Sequence, residues 1–130
     1  MKILISYDES KLSGKVLEVA KNQAKAHNAQ VIIANSMKGG IRVPRESFEK
    51  SEKMLKEANH FLEKNGIASE IHLFAQGNEP GEDMVKYADE NAVDLIIIGI
   101  EKKSKVGKLL FGSTAQYIIL KASCPVLTVG

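Results

Sequence analysis

Apolar positions along the chain fall into two alternating rhythms. Short runs rich in β-branched residues, Lys2-Ile3-Leu4-Ile5-Ser6-Tyr7, Gln30-Val31-Ile32-Ile33-Ala34-Asn35-Ser36 and Asp94-Leu95-Ile96-Ile97-Ile98-Gly99, read as strands buried on both faces. Between them the period lengthens. From about Ser10 to His27, Leu12, Val16, Val19, Ala20 and Ala24 form one helical stripe, and from about Arg45 to Asn65 a second stripe holds Phe48, Met54, Leu55, Ala58, Phe61 and Leu62. The opposite side of that second helix carries Glu49–Lys53 and Glu52–Lys56, each glutamate four residues before its lysine, and Asn65-Gly66 closes it as a left-handed cap. Ser69 to Ala75 alternates as a strand near a sheet edge does. A turn at Gln76-Gly77-Asn78-Glu79-Pro80 feeds a short helix from about Pro80 to Asn91, with Met84, Val85 and Ala88 inward. After a loop of mixed charge, Gly112-Ser113-Thr114 opens a last helix with Ala115, Ile118, Ile119 and Ala122 at i, i+3, i+4 and i+7, and Pro125 to Val129 is a closing strand.

Strands alternating with helices at this spacing predict a parallel sheet covered on both faces, since each crossover returns over the sheet with the same hand. In such sheets ligands bind at the carboxyl ends of the strands, beside the point where the winding reverses. The strand order itself is not given by period or composition.

A chain of 130 residues is long enough for one core and too short for two ordinary domains, so one domain over 1–130 is expected. Hydrophobic content of 44% and charged content of 26% argue against disorder, and no apolar run approaches the roughly 20 residues of a spanning helix, which argues against a membrane protein. The chain starts directly on a strand pattern without the zones of a signal peptide, and the cytoplasm is the expected location. A formal charge of +2 and sparse aromatics, not interleaved with lysines, speak against nucleic acid as a partner. Cys124 has no second cysteine to pair with and reads as a small buried hydrophobe. His27, His60 and His72 share no metal-ligand spacing with one another or with Cys124.

The informative chemistry lies between Gly99 and Thr114. A Walker-type loop fails here, because Gly99 is too far from Gly107-Lys108 and Leu109 follows where a hydroxyl is required. The tight glycine cluster of a dinucleotide fingerprint is missing too. Ser113 is placed as a helix N-cap, and the amino end of a helix offers N–H groups and a partial positive charge to an anion such as phosphate. Phosphorelay chemistry is excluded by the third strand, which ends Phe74-Ala75-Gln76 with no aspartate, and a serine hydrolase by the lack of a Gly-x-Ser-x-Gly elbow. Asp8 admits two roles, a cap for the first helix or a ligand contact.

Gly99, then two residues, then Lys102, then nine residues to Gly112-Ser113, resembles the Gly-x2-Gly-x9-Gly-Ser/Thr pattern of the universal stress protein family, with Lys102 where the family has its middle glycine. The likeness extends over nearly the whole chain, through Asp8-Glu9-Ser10 after the first strand and the closing Cys124-Pro125-Val126-Leu127-Thr128-Val129. It implies a doubly wound five-stranded parallel sheet of order 3-2-1-4-5 with helices on both faces, of the adenine-nucleotide alpha-hydrolase type. By the same resemblance Asp8 contacts the sugar or metal-bound phosphates of a nucleotide, with Ser6 in the pocket wall. Ser36 falls at the adenine pocket, Gly99 lets backbone approach the ligand, and Gly112, Ser113 and Thr114 take the phosphates. Lysine at 102 loses the conformational freedom of glycine, while Lys102 and Lys108 bring ammonium groups to where phosphates would sit. Lys103 and Lys105 read equally well as a solvated loop face.

Two functions follow as expectations. One is an ATP-binding module in stress response or signalling, with AMP or another adenosine nucleotide as other ligands, Mg2+ entering with the nucleotide, and at most slow hydrolysis. The alternative is a nucleotide-free dimer acting through protein contacts at the Gly39–Arg45 loop and the last strand. In either case the resemblance implies a homodimer through Pro125 to Val129, an apolar strand that is otherwise an uncovered edge.

Overall fold

The computed structural model describes residues 1–37, 42–101, 103–105, 108–110 and 112–130. In chain order the elements are β1 (Lys2–Ser6), α1 (Ser13–His27), β2 (Gln30–Ser36), α2 (Arg45–Lys64), β3 (Ser69–Phe74), α3 (Pro80–Glu90), β4 (Leu95–Gly99), β5 (Lys103–Lys105), β6 (Lys108–Leu110), α4 (Ser113–Lys121) and β7 (Val126–Val129). Five strands form one sheet in the order β3-β2-β1-β4-β7, which is the expected 3-2-1-4-5 with β7 as its fifth strand. All four pairings in that sheet are parallel, and β1 is its hub, matching Ile5 to Ile33 of β2 on one side and to Ile97 of β4 on the other.

The continuous apolar runs are explained by burial on two faces. Ile3, Ile5, Val31, Ile33 and Ile97 point to one side and pack with Val16, Ala20 and Ala24 of α1 and with Leu55, Ala58 and Leu62 of α2. Leu4, Ile32, Ala34, Ile96 and Ile98 point to the other side, against Met84, Val85 and Ala88 of α3 and Ala115 and Ile118 of α4. Successive residues of a strand alternate faces, so a strand with a helix layer on each side has no position left for a polar residue. Each fully buried isoleucine or leucine contributes about 1.5–3 kcal/mol relative to an exposed one.

Local departures from the sequence reading have local causes. Helix α1 starts at Ser13 rather than near Ser10, because Asp8 Oδ1 accepts from the Ser10 N–H (3.0 Å) and Ser10 Oγ accepts from the Leu12 N–H (3.2 Å), which holds that stretch as a turn. Asp8 is therefore not the cap of the first helix. Leu17, left out of the stripe, is buried, whereas Phe48 is exposed, and the first buried side chain of α2 is Leu55. Glu52 pairs with Lys56 as expected (2.9 Å), but Glu49 is taken by Arg45 one turn earlier (3.1 Å) rather than by Lys53. The left-handed residue after α2 is Gly66, at φ +77°.

Larger differences lie beyond Gly99. The stretch read as a loop contains an antiparallel ribbon, with Lys103 opposite Leu110 and Lys105 opposite Lys108. Ser113 is the first helical residue of α4, and its expected N-cap position belongs to Gly112, whose carbonyl accepts from the Gln116 N–H at 3.0 Å. Of the predicted α4 stripe, Ala115 and Ile118 are buried, Ile119 is exposed, and Ala122 lies just past the last turn. The helix rests on its Ala115–Ile118 line and sits close to α3, where a Cβ added to Gly81 would lie 2.8 Å from Tyr117 Cβ.

Candidate functional site

Because β1 is paired in parallel on both sides, the chain leaves its carboxyl end in one direction and arrives at β4 from the other. The separation opens a crevice of about 600 Å³ above the strand ends. Its floor and walls come from five separate stretches: Ser6, Tyr7, Asp8 and Ser10 after β1, Asn35 and Ser36 at the end of β2, Pro80 and Met84 on α3, Ile98 to Glu101 after β4, and Gly112 to Ala115 at the start of α4. That volume lies within the range of small-molecule sites.

Seven residues singled out from the sequence, Ser6, Asp8, Ser36, Gly99, Gly112, Ser113 and Thr114, line this one cavity. Lys102 lies outside the described residues, as does the side chain of Lys108, whose backbone belongs to β6. Gly39, Gly40 and Ile41 of the loop after β2 also lie outside them.

The two glycines of the crevice differ in what they make room for. A Cβ on Gly99 would stand 3.1 Å from Val16 Cγ2 and 3.2 Å from Leu12 Cβ, so this glycine brings α1 close to β4 as well as lining the cavity. Among the described residues other than its chain neighbours, nothing lies within 4 Å of a Cβ built on Gly112, and its φ of −64° suits any residue. The packing of the described residues therefore does not require glycine at this position. Beside it, the N–H groups of Ser113, Thr114 and Ala115 belong to the first turn of α4, where helix geometry supplies no acceptor, and no side chain caps them. The residues that carry these donors, Ser113, Thr114 and Ala115, all line the cavity.

On the β1 side, Asp8 is exposed and uses one oxygen to hold the Ser10 turn. Its neighbour Glu9 pairs with Lys50 of α2 at 3.3 Å, which ties this wall to the second helix. Asn35 Nδ2 donates to the Tyr7 carbonyl at 2.8 Å and links the ends of β1 and β2. Burial pushes the Tyr7 phenol above its ordinary value; a hydrogen bond with Ser13 opposes this, and the charges of Asp8 and Glu57 add to it, so the group is a neutral phenol at physiological pH.

Sequence reasoning missed Tyr7, Asn35, Met84 and Glu101 as cavity residues, and it missed Asp83. Met84, inward on the α3 stripe, is core as expected and also lines the crevice. Asp83 is 7% exposed and accepts a hydrogen bond from Ser36 Oγ at 2.5 Å. Its partner is 47 positions away in the chain, so no local pattern announces the pair.

Elsewhere, burial raises the Cys124 thiol, with the Asp89 and Asp94 charges adding to it and backbone hydrogen bonds partly opposing. Cys124 is half-buried rather than fully buried, and packs against the core on the α3–α4 face of the sheet. Among the described residues no cluster of three or more histidine, cysteine or acidic side chains is placed to hold a metal ion, and no helix is long and apolar enough to cross a membrane.

A parallel 3-2-1-4-5 sheet with a strand-end crevice and an uncapped glycine-led helix defines a class of nucleotide-fold protein, and comparison with known proteins places the chain within it. The universal stress protein family model matches residues 1–130, and the chain belongs to that family. It is 32% identical to a Thermus aquaticus universal stress protein over 98% of this chain and 96% of the relative. A universal stress protein structure from Archaeoglobus fulgidus superposes with a TM-score of 0.90 at 37% identity, covering 100% of this chain and 98% of the other. A second structure from that organism, a universal stress protein in complex with dAMP, gives a TM-score of 0.86 at 33% identity, covering 100% and 98%.

Proposed function

We infer that the crevice binds an adenine nucleotide, with ATP as the first candidate and AMP or another adenosine nucleotide as the others, and that the protein acts by binding in stress response or signalling. The observation that carries this reading is the open space around Gly112 beside the unused donors of the α4 first turn, in a cavity that also holds Asp8 and Ser36. An anion fits that helix end, and a sugar and base fit the remainder of the cavity toward β1 and β2. The dAMP complex of the similar A. fulgidus protein supports the same ligand class.

In this reading Gly112, Ser113 and Thr114 take the phosphates, Asp8 the sugar or metal-bound phosphates, Ser6 the pocket wall and Ser36 the base, with Gly99 beneath the ligand. Lys102 and Lys108 supply positive charge to the phosphates. Mg2+ would enter with the nucleotide, and the carboxylates of Asp8 and Glu101 in the crevice are the oxygen donors that cation takes alongside phosphate. Little or no turnover is expected, because no histidine, lysine or cysteine is among the described residues that line the crevice, and one oxygen of Asp8 is already engaged by the Ser10 N–H. Residues 1–130 act as one universal stress protein domain in the cytoplasm, without nucleic acid or membrane as partner. Two copies pair through Pro125 to Val129, whose β7 is an edge strand with Val126 and Leu127 only half-buried.

That open edge also favours a second reading, a nucleotide-free dimer working through protein contacts. Calorimetric titration of the native protein and of Ser113→Ala with ATP and Mg2+ separates the two. Binding that weakens about tenfold in Ser113→Ala, the loss of roughly one charge-assisted hydrogen bond, supports the nucleotide site. No heat with the native protein at millimolar ATP would leave the second reading standing.

A further inference from the structure

The roles assigned above leave Asp83 without one. A carboxyl group this deeply buried is costly unless something holds it, and what holds it here is the Ser36 hydroxyl, which donates to Asp83 Oδ2 at 2.5 Å. Asp83 is fixed in the first turn of α3, where the helix amino end favours an acidic side chain and its own N–H donates to the Glu79 carbonyl at 3.1 Å. Its neighbours Pro80 and Met84 line the crevice, as does Ser36.

A serine hydroxyl has one proton and two lone pairs. With the proton given to Asp83, Ser36 can offer the crevice only an acceptor. The place of Ser36 decides what meets that acceptor. It stands at the end of β2, on the far side of β1 from β4, and lines the same cavity as the start of α4, so a nucleotide with its phosphates on α4 would extend its base toward Ser36. A purine with an amino group at the 6-position brings a donor to the serine oxygen. A purine with a carbonyl there brings lone pairs against lone pairs, and a buried polar contact without its proton costs far more than a missing apolar one.

We propose, resting on the nucleotide reading above, that Asp83 is a specificity-positioning residue: by holding the proton of Ser36 it makes the base pocket accept 6-amino purines and reject 6-oxo purines. The test is a calorimetric comparison of AMP with IMP, two ligands that differ at that position, in the full chain and three variants whose folding is checked by thermal melting. The native protein should prefer AMP by about tenfold or more, the discrimination expected of one well-placed hydrogen bond. In Asp83→Ala the serine proton is free to turn toward either base, and the preference should fall to within about twofold. Asp83→Asn, whose amide oxygen can still accept the serine proton, should restore most of it. Ser36→Ala should weaken AMP while changing IMP little, which keeps the proposal testable should Asp83→Ala not fold.

An AMP/IMP ratio unchanged in folded Asp83→Ala, or a native protein without preference, overturns this assignment while leaving the nucleotide site intact. Failure of the native protein to bind AMP or ATP instead removes the nucleotide reading, and this assignment with it.

Discussion

The two ends of the central sheet are built on opposite principles. At the amino ends of the strands polar groups are spent on the fold: the Lys2 N–H donates to Asp94 Oδ2 at 2.8 Å, Lys2 Nζ to the Asn91 carbonyl at 3.1 Å, and the Asp94 N–H back to the Lys2 carbonyl at 2.9 Å. The Gln30 N–H reaches the Met1 carbonyl at 2.9 Å, and Asn28 and Gly66 reverse the chain in left-handed conformations after α1 and α2. At the carboxyl ends Asn35 still ties β2 to β1, but the first turn of α4 has no side-chain cap and hydroxyl residues line a cavity. The difference teaches where folding and the proposed binding are separable: substitutions at the amino end or in the core should act on folding, and those at crevice residues outside the core should act on a ligand.

The largest effect expected from breaking this contrast comes from the core. Leu62→Ala removes a fully buried side chain between α2 and the sheet and should destabilise the protein by about 2–5 kcal/mol in a denaturant titration. Gly81→Val forces a side chain into Tyr117 at the α3–α4 contact and should cost about 1–3 kcal/mol or more, again by denaturation. Gly112→Val stands opposite both: it should leave stability within about 0.5 kcal/mol, since a Cβ there meets no atom within 4 Å among the described residues beyond its chain neighbours, while obstructing the crevice.

Asp94→Ala, which cuts an exposed tie at the amino end, should cost about 0.5–1.5 kcal/mol and leave nucleotide affinity unchanged. The smallest effect concerns Tyr7. A phenol whose folded value is raised binds its proton more tightly in the folded state, so the stability it contributes is complete below the unfolded value near 10.0 and is lost as pH rises above it. Alkaline unfolding followed by circular dichroism should therefore start at lower pH in the native protein than in Tyr7→Phe.

The fold was legible because its signal is redundant. Val31-Ile32-Ile33-Ala34 and Leu95-Ile96-Ile97-Ile98 could be apolar at every position only if both faces were covered, and the parallel, doubly wound arrangement follows from that. Strand order came from the family pattern, not from the period. Element ends were harder to place, as at Ser10 and Ser113, where a side-chain hydrogen bond or a single residue of backbone geometry decides. The β5–β6 ribbon gave no signal, since Lys103-Ser104-Lys105 carries neither apolar alternation nor length. Residues of the linear motif proved to line one cavity, whereas contacts created by tertiary approach, Asp83 behind Ser36 and Met84 shared between core and cavity, left no mark in the sequence.

The claim on which the rest turns is that the space beside Gly112 is kept for a ligand, and thermal melting with and without ATP and Mg2+ tests it most directly, because a ligand that binds only the folded state raises the melting temperature. The native protein should melt higher with ATP than without, and Gly112→Val should melt with the native protein when no nucleotide is present and gain nothing from adding it. An equal rise in both proteins, or no rise in the native one, would contradict the account.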